Sequence, residues 1–251
     1  MSARHQRRRG VLLSCLLILM LFAASPSEAG LIRVSQESLP GAGDFDLNIL
    51  GFVSSFSTPL TAAGFYQYNV PHGASYNGEL NGGPDPVSSL TQVFLVEASN
   101  GLSLFVVHDR PLDGSGGNVR NHWQLTGGTA AFLVGDDPGE GLTVGGGGTL
   151  FDTNHTWSPC CTDGYVIGDL EGNWAAFGEF SAAPTGITRW AVVSDGGGPI
   201  ALELEVGRRV RLDAEAVPEP GTLSLLALGM ALGHRVRRRG GLRRASPAQR
   251  A

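Results

Sequence analysis

Gln92-Val93-Phe94-Leu95-Val96-Glu97-Ala98-Ser99-Asn100-Gly101-Leu102-Ser103-Leu104-Phe105-Val106-Val107-His108 is the stretch that decides the fold. Two runs rich in β-branched and aromatic residues flank Asn100-Gly101, a dipeptide that accepts positive φ at both positions of a two-residue hairpin turn. The runs are too continuously apolar to leave one face wet, so these strands are expected to be covered on both sides. Outward from the hairpin the period of two recurs: Ile200, Leu202, Leu204 and Val206 alternate with Ala201, Glu203 and Glu205, which assigns one face to a core. Further strands are expected at Leu47–Ser54, Phe65–Val70, Trp123–Thr126, Ala130–Gly135, Thr149–Asp152, Tyr165–Leu170, Trp174–Phe180, Arg189–Ser194 and Val210–Asp213. No stretch sustains the 3.6-residue stripe of a helix.

Of the 37 glycines, 31 fall between residues 30 and 217. Helices tolerate that density badly, whereas short strands joined by tight turns accommodate it. Gly82-Gly83, Gly116-Gly117, Gly127-Gly128, Gly145 to Gly148 and Gly196 to Gly198 read as turns. With no internal repeat, the pattern predicts an all-β body over residues 30–213, an antiparallel β-sandwich of jelly-roll or lectin-like shape. Leu31 to Asp44 reads as a loose lead-in, and residues 214–251 as a linker and tail.

Charge divides the chain the same way. Residues 1–29 carry +3 and residues 218–251 carry +6, while residues 30–217 set 7 arginines against 21 acidic residues, a net of −14. An acidic body excludes a phosphate-tracking nucleic-acid binder, because such proteins place their cations on the folded domain.

The two ends read as addresses. Arg4, Arg7, Arg8 and Arg9 precede an apolar run from Val11 to Ala24 and a small-residue site at Ser27-Glu28-Ala29, the design of a secretory signal peptide over residues 1–29 with cleavage between Ala29 and Gly30. The run has 14 residues, and a spanning helix needs about 20. At the other end Val217-Pro218-Glu219-Pro220 precedes an apolar stretch, Thr222 to Gly233, and then Arg235, Arg237, Arg238 and Arg239. The prolines end any regular element, the stretch forms a hydrophobic helix too short for a secure anchor, and the arginines favour the cytoplasmic face.

This three-part tail resembles the PEP-CTERM sorting signal of Gram-negative bacteria. The resemblance implies recognition by exosortase, a membrane protease-transferase, after export and a transient stay in the inner membrane, with delivery to the cell surface or the extracellular polysaccharide matrix. The same short region is sometimes catalogued with the C-terminus of ice-binding proteins.

Within the body, Cys160 and Cys161 are the only cysteines beyond the signal, and export makes a disulfide between these neighbours the default. Asp136, Asp137 and Glu140 gather in a glycine-rich turn and are candidate calcium ligands, since calcium takes oxygen donors on flexible loops. No other cofactor is expected. His108 to Gly114 forms a second acidic loop. His72, His108, His122 and His155 show no metal-ligand spacing, no nucleophile elbow or phosphate loop occurs, and 21 acids select no glycosidase pair, so no residue is assigned as catalytic. Trp123, Trp157, Trp174 and Trp190, with Tyr66, Tyr68 and Tyr76, are candidate sugar-stacking faces; Trp174 and Trp190, inside apolar strands, are expected to pack in the core, and Trp157 in the cysteine loop is expected to be the exposed one. The expectation is therefore a non-enzymatic, exported surface or matrix protein, with exosortase, the export machinery and polysaccharide as partners and no nucleic acid. A secreted polysaccharide hydrolase or lyase and a carbohydrate-binding module are the alternatives.

The tail generates a test. Mass spectrometry of the mature protein is expected to place its C-terminus near Pro220, and replacing Pro218, Glu219 and Pro220 by Ala is expected to trap the uncut form in the membrane. A mature chain retaining Arg235 to Arg239 would contradict the sorting role.

Overall fold

The computed structural model describes residues 31–68, 75–137 and 143–214, all within one compact unit, Ala29–Glu215. Among the described residues twelve strands form: β1 (Ile32–Gln36), β2 (Ile49–Val53), β3 (Phe56–Ser57), β4 (Leu90–Ala98), β5 (Gly101–His108), β6 (Gly117–Gly135), β7 (Thr143–Gly145), β8 (Leu150–Trp157), β9 (Asp163–Phe180), β10 (Arg189–Val192), β11 (Ile200–Leu202) and β12 (Val210–Ala214). One short α-helix, α1 (Ala62–Tyr66), accompanies them. The all-β expectation holds.

The hairpin forms, but its turn lies one residue earlier than expected: Ser99 and Asn100 are the loop residues, Ala98 pairs with Gly101, and of Asn100 and Gly101 only the glycine takes a positive φ, at +112°. From that pair β4 and β5 stay in register to Thr91 opposite His108. Val93, Leu95, Leu104 and Val106 enter the main core, while Phe94, Val96, Phe105 and Val107 enter a second cluster. Phe65 and Tyr66 of α1 roof that second cluster, with Phe65 edge-on to Phe105 at 5.5 Å between ring centroids. Both faces of the hairpin are thus dry, as its composition requires.

β9 is the strand on which the sheet divides. Along one edge it pairs with β6 over nearly its whole length. Along the other edge its first half, Asp163 to Ile167, pairs with β5, and its second half, Ala175 to Gly178, pairs with β12. One path continues through β5 and β4 to β10 and β11, another through β12 and β1 to β2, and β6 carries β8 and β7. The two outer ends meet again: the Ser54 amide donates to Ser194 Oγ at 3.0 Å, and the Asp195 amide to the Ser54 carbonyl at 3.1 Å. Gln36 closes the same gap with its side chain, which accepts from the Glu203 amide and donates to the Glu203 carbonyl, each at 2.9 Å. The result is one large, nearly closed sheet around a core contributed by strands on every side. Pairing is antiparallel except where β10 and β3 run parallel to β4.

Several local expectations are corrected. Phe65–Val70 does not begin as a strand: Thr61 caps α1 by accepting the Gly64 amide at 3.1 Å, and Gln67 ends the helix in the left-handed region at φ 53°. Two adjacent buried aromatics mimic a strand, but a helix one turn long buries both; Val70 lies outside the described residues. Leu31 to Asp44 is not a loose lead-in either, because Ile32 and Val34 place β1 between β12 and β2. The following turn is anchored by Glu37, which is fully buried and accepts from Arg209 and from the amides of Gly41, Gly43 and Arg209. Burial pushes the Glu37 carboxyl up, but the Arg209 guanidinium and these amides outweigh it and hold it below its usual value.

Gly127-Gly128 is not a turn. It is a bulge within β6, with Gly127 at φ +71° and the register to β9 shifting between Thr126 and Gly128. Trp123–Thr126 and Ala130–Gly135 are therefore parts of one strand, as are Tyr165–Leu170 and Trp174–Phe180. Gly178 has another purpose: a Cβ there would lie 2.5 Å from the Trp123 ring, so the indole packs directly on the β9 backbone. Finally, the alternation from Ile200 ends as a strand at Leu202, and Val206 is exposed, because the Gln36 side chain substitutes for a strand partner at Glu203.

Among the described residues no helix is long and apolar enough to cross a membrane. The expected signal peptide and the expected C-terminal hydrophobic helix lie outside the described residues.

Candidate functional site

The structure gathers its polar chemistry where β5, β6, β8 and β9 come together. His108 continues the inward row of Leu104 and Val106 on β5, and His155 and Trp157 share the inward face of β8. Across the pairing, His108 lies opposite Asp163, the first residue of β9. The His108 ring stacks on Trp157 at 5.8 Å, and the His155 ring stacks on Tyr165 at 5.0 Å.

Each of these groups is bonded inside the protein. His155 Nδ1 is 2.8 Å from Asp163 Oδ1, and His108 Nδ1 is 2.9 Å from Thr91 Oγ1. The Trp157 indole donates to Asp109 Oδ2 at 2.9 Å, and the Trp123 indole to the Tyr165 hydroxyl at 2.7 Å. Asp109 also accepts from the Ser89 amide and the Ser115 hydroxyl, at 2.7 and 2.8 Å. Burial, reinforced by neighbouring His155, drives the His108 pKa well below its ordinary value, so this imidazole is neutral.

The sequence-derived candidates fall around this cluster. Asp136 follows β6, is 2% exposed, and accepts the Tyr66 hydroxyl on Oδ2 at 2.8 Å. Its amide donates to the Gly164 carbonyl at 3.1 Å. Burial pushes its carboxyl from the ordinary 3.8 up to about 8; the Tyr66 hydrogen bond opposes the rise, and the charges of Asp163 and Asp137 add to it. Asp137, next in sequence, is exposed and accepts from the Tyr68 hydroxyl at 2.8 Å. The two candidate calcium ligands thus engage different tyrosines, one inside and one at the surface. Glu140 lies outside the described residues, and among the described residues no group of three or more His, Cys, Asp or Glu is arranged to hold a metal ion.

Cys160 and Cys161 are bonded to each other in the loop between β8 and β9. Trp157, expected to be exposed beside them, is 5% exposed, because the alternation of β8 turns it inward onto Asp109. Trp123, Trp174 and Trp190 are likewise buried. The second acidic loop is also corrected: Asp109 is fully buried as a hydrogen-bond hub, whereas His122 sits partly exposed on Asp152. His72, Ala29, Gly30, Val217, Pro218, Glu219 and Pro220 lie outside the described residues. Neither Asp109 nor Asp163 stands out by motif in the sequence. The available signal was strand phase: extending the inward rows of β5 and β8 by one step reaches His108 and Trp157, and each brings a carboxylate with it.

Chemically, the arrangement ties four strands together and keeps a proton on a buried carboxyl at neutral pH. Between about pH 4 and pH 8 the folded Asp136 binds a proton that the unfolded chain has released, so its contribution to stability falls as pH rises through that window. Asp136→Asn keeps an acceptor for Tyr66 and removes the titration. The variant is expected to melt close to wild type near pH 4 and about 5 °C or more above it near pH 9. Thermal melts across pH check this, and parallel curves for the two proteins would contradict it.

A family model, the PEP-CTERM protein-sorting motif, matches residues 216–240 and so spans Val217 to Pro220, the apolar stretch and the first arginines of the tail. No curated protein and no solved structure matches the chain. The chain carries a PEP-CTERM sorting motif at its C-terminus, the mark of an exported protein that exosortase processes for the cell surface or the extracellular space.

Proposed function

We propose that the mature body is a non-enzymatic component of the cell surface or extracellular polysaccharide matrix, reached after a transient stay in the membrane. One observation carries this reading: the tryptophans, the side chains best suited to stacking on a sugar, are committed to the interior, as is the one carboxyl held protonated at neutral pH. The four tryptophans are 2–5% exposed, and Asp136 and Asp163 are 2% and 1% exposed. What the body offers its surroundings is an acidic shell on a nearly closed sheet, suited to cation-bridged or polar contact with a hydrated matrix.

A second reading is a polysaccharide hydrolase or lyase. It is favoured by Asp136, whose carboxyl is raised to about 8 beside Asp163, the pairing of a proton donor with a second carboxyl that glycosidic cleavage uses. The exported protein, screened on a glycan array and for released oligosaccharide with and without calcium, separates the readings. Retention on matrix polysaccharide without product is expected. Product release lost in Asp136→Asn would replace the proposal with the hydrolase, and tight binding of one defined oligosaccharide would replace it with a carbohydrate-binding module. In the same screen, a calcium-selective rise in melting temperature abolished by Asp137→Asn would add calcium to the matrix role, and equal midpoints in calcium, magnesium and chelator would remove it.

A further inference from the structure

The Cys160–Cys161 disulfide has no evident task in holding the fold together. A disulfide stabilises chiefly by closing a loop in the unfolded chain, and the gain grows with loop length. This one joins sequence neighbours and closes no loop. The segment around it is fastened by other means. The Cys161 amide donates to the Ser158 carbonyl at 3.0 Å, and the Leu112 amide to the Cys160 carbonyl at 3.2 Å. The Thr162 amide donates to Ser75 Oγ at 3.1 Å, and the Tyr76 amide to Thr162 Oγ1 at 2.9 Å. Buried Trp157 and Asp163 hold the two ends of the loop.

Against that anchored backbone the cysteine pair lies at the surface. Cys160 is exposed and Cys161 half-buried, whereas the residues at both loop ends are buried. No third cysteine follows residue 29, so a thiolate generated here has no other partner in the mature chain.

We propose that Cys160–Cys161 is a redox-active site that exchanges with an extracytoplasmic dithiol of the Cys-x-x-Cys class. A donor thiolate attacks the Sγ of Cys160, the more exposed residue of the pair. The Cys160–Cys161 bond breaks, Cys161 leaves as a thiolate and takes up a proton, and a mixed disulfide joins Cys160 to the donor. The donor's second thiol loses its proton and attacks the donor sulfur of that mixed disulfide, releasing Cys160 as a thiolate that is protonated in turn. Two electrons and two protons pass to the protein, whose disulfide becomes two thiols, and the donor dithiol becomes a disulfide. Because the loop is held by its own hydrogen bonds, the β8–β9 connection keeps its place in both states.

The exported protein, reduced with dithiothreitol and in parallel with reduced thioredoxin, tests this, with mass (a gain of about 2 Da) and alkylation of both cysteines as readouts. Reduction of the native protein is expected within about a hundredfold of the rate in guanidinium, with the melting temperature changed by no more than a few degrees. Slower native reduction, or melting lowered beyond that, would make the disulfide structural and overturn the proposal. The double variant Cys160→Ser, Cys161→Ser is expected to fold with near-normal melting, and its failure to fold would likewise overturn it. With Cys161→Ser the remaining Cys160 is expected to form a mixed disulfide with an oxidised probe faster than Cys161 does in Cys160→Ser. The reverse order would overturn Cys160 as the attacked sulfur.

Discussion

Every strand's position depends on β9 being paired along both edges with different neighbours in its two halves. An 18-residue strand cannot stay flat under the right-handed twist of a sheet, and here the change of partner from β5 to β12 falls where β6 and β9 shift register at Gly127-Gly128. The fork lets one sheet wrap its own core. It also explains why glycine lies inside the long strands as well as in turns: at Gly178 the Trp123 ring occupies the space of a side chain, so one of the largest core residues packs on bare backbone.

The buried polar cluster is built on the β5-paired start of β9, at Asp163 and Tyr165. Placing His108, Asn121, His155 and Asp163 in a core is costly unless each finds a partner, and here the partners come from different strands: Thr91 for His108, Asp163 for His155, and the Tyr165 hydroxyl, itself bonded to Trp123, for Asn121. Such bonds are directional, so they select one strand arrangement where apolar packing alone tolerates several. Asp136 is only half satisfied: one carboxyl oxygen accepts Tyr66, and the other, like His108 Nε2, has no hydrogen-bond partner among the described residues, so burial prevails over charge there. This residue gives the fold a built-in sensitivity to alkali.

Legibility in the sequence followed the reach of each interaction. The β4–β5 hairpin and the strand runs were readable because turn chemistry and period-two burial are local, although the turn itself falls at Ser99-Asn100, with Gly101 already paired to Ala98. The sorting tail was readable because a protease-transferase reads linear sequence. α1 was missed because one capped turn leaves no stripe, and β1 because five residues of alternation beside an acidic turn look like linker until Arg209, 172 positions away, is seen on Glu37. Trp157 was misplaced because its neighbours, Pro159 and the cysteines, suggest a loop, whereas the phase of β8 decides its direction. Asp136 and Asp137 read as one acidic turn, and only the fold separates a neutral interior carboxyl from a surface one.

The claim that β9 unites the body is most directly tested by hydrogen exchange of the exported protein resolved to single amides. Tyr165 to Ile167, between β5 and β6, and Ala175 to Gly178, between β12 and β6, are predicted to exchange only through the same global opening, with equal protection and equal denaturant dependence. Independent opening of either half with its own partner strand, at a lower free energy than the other, would contradict the account.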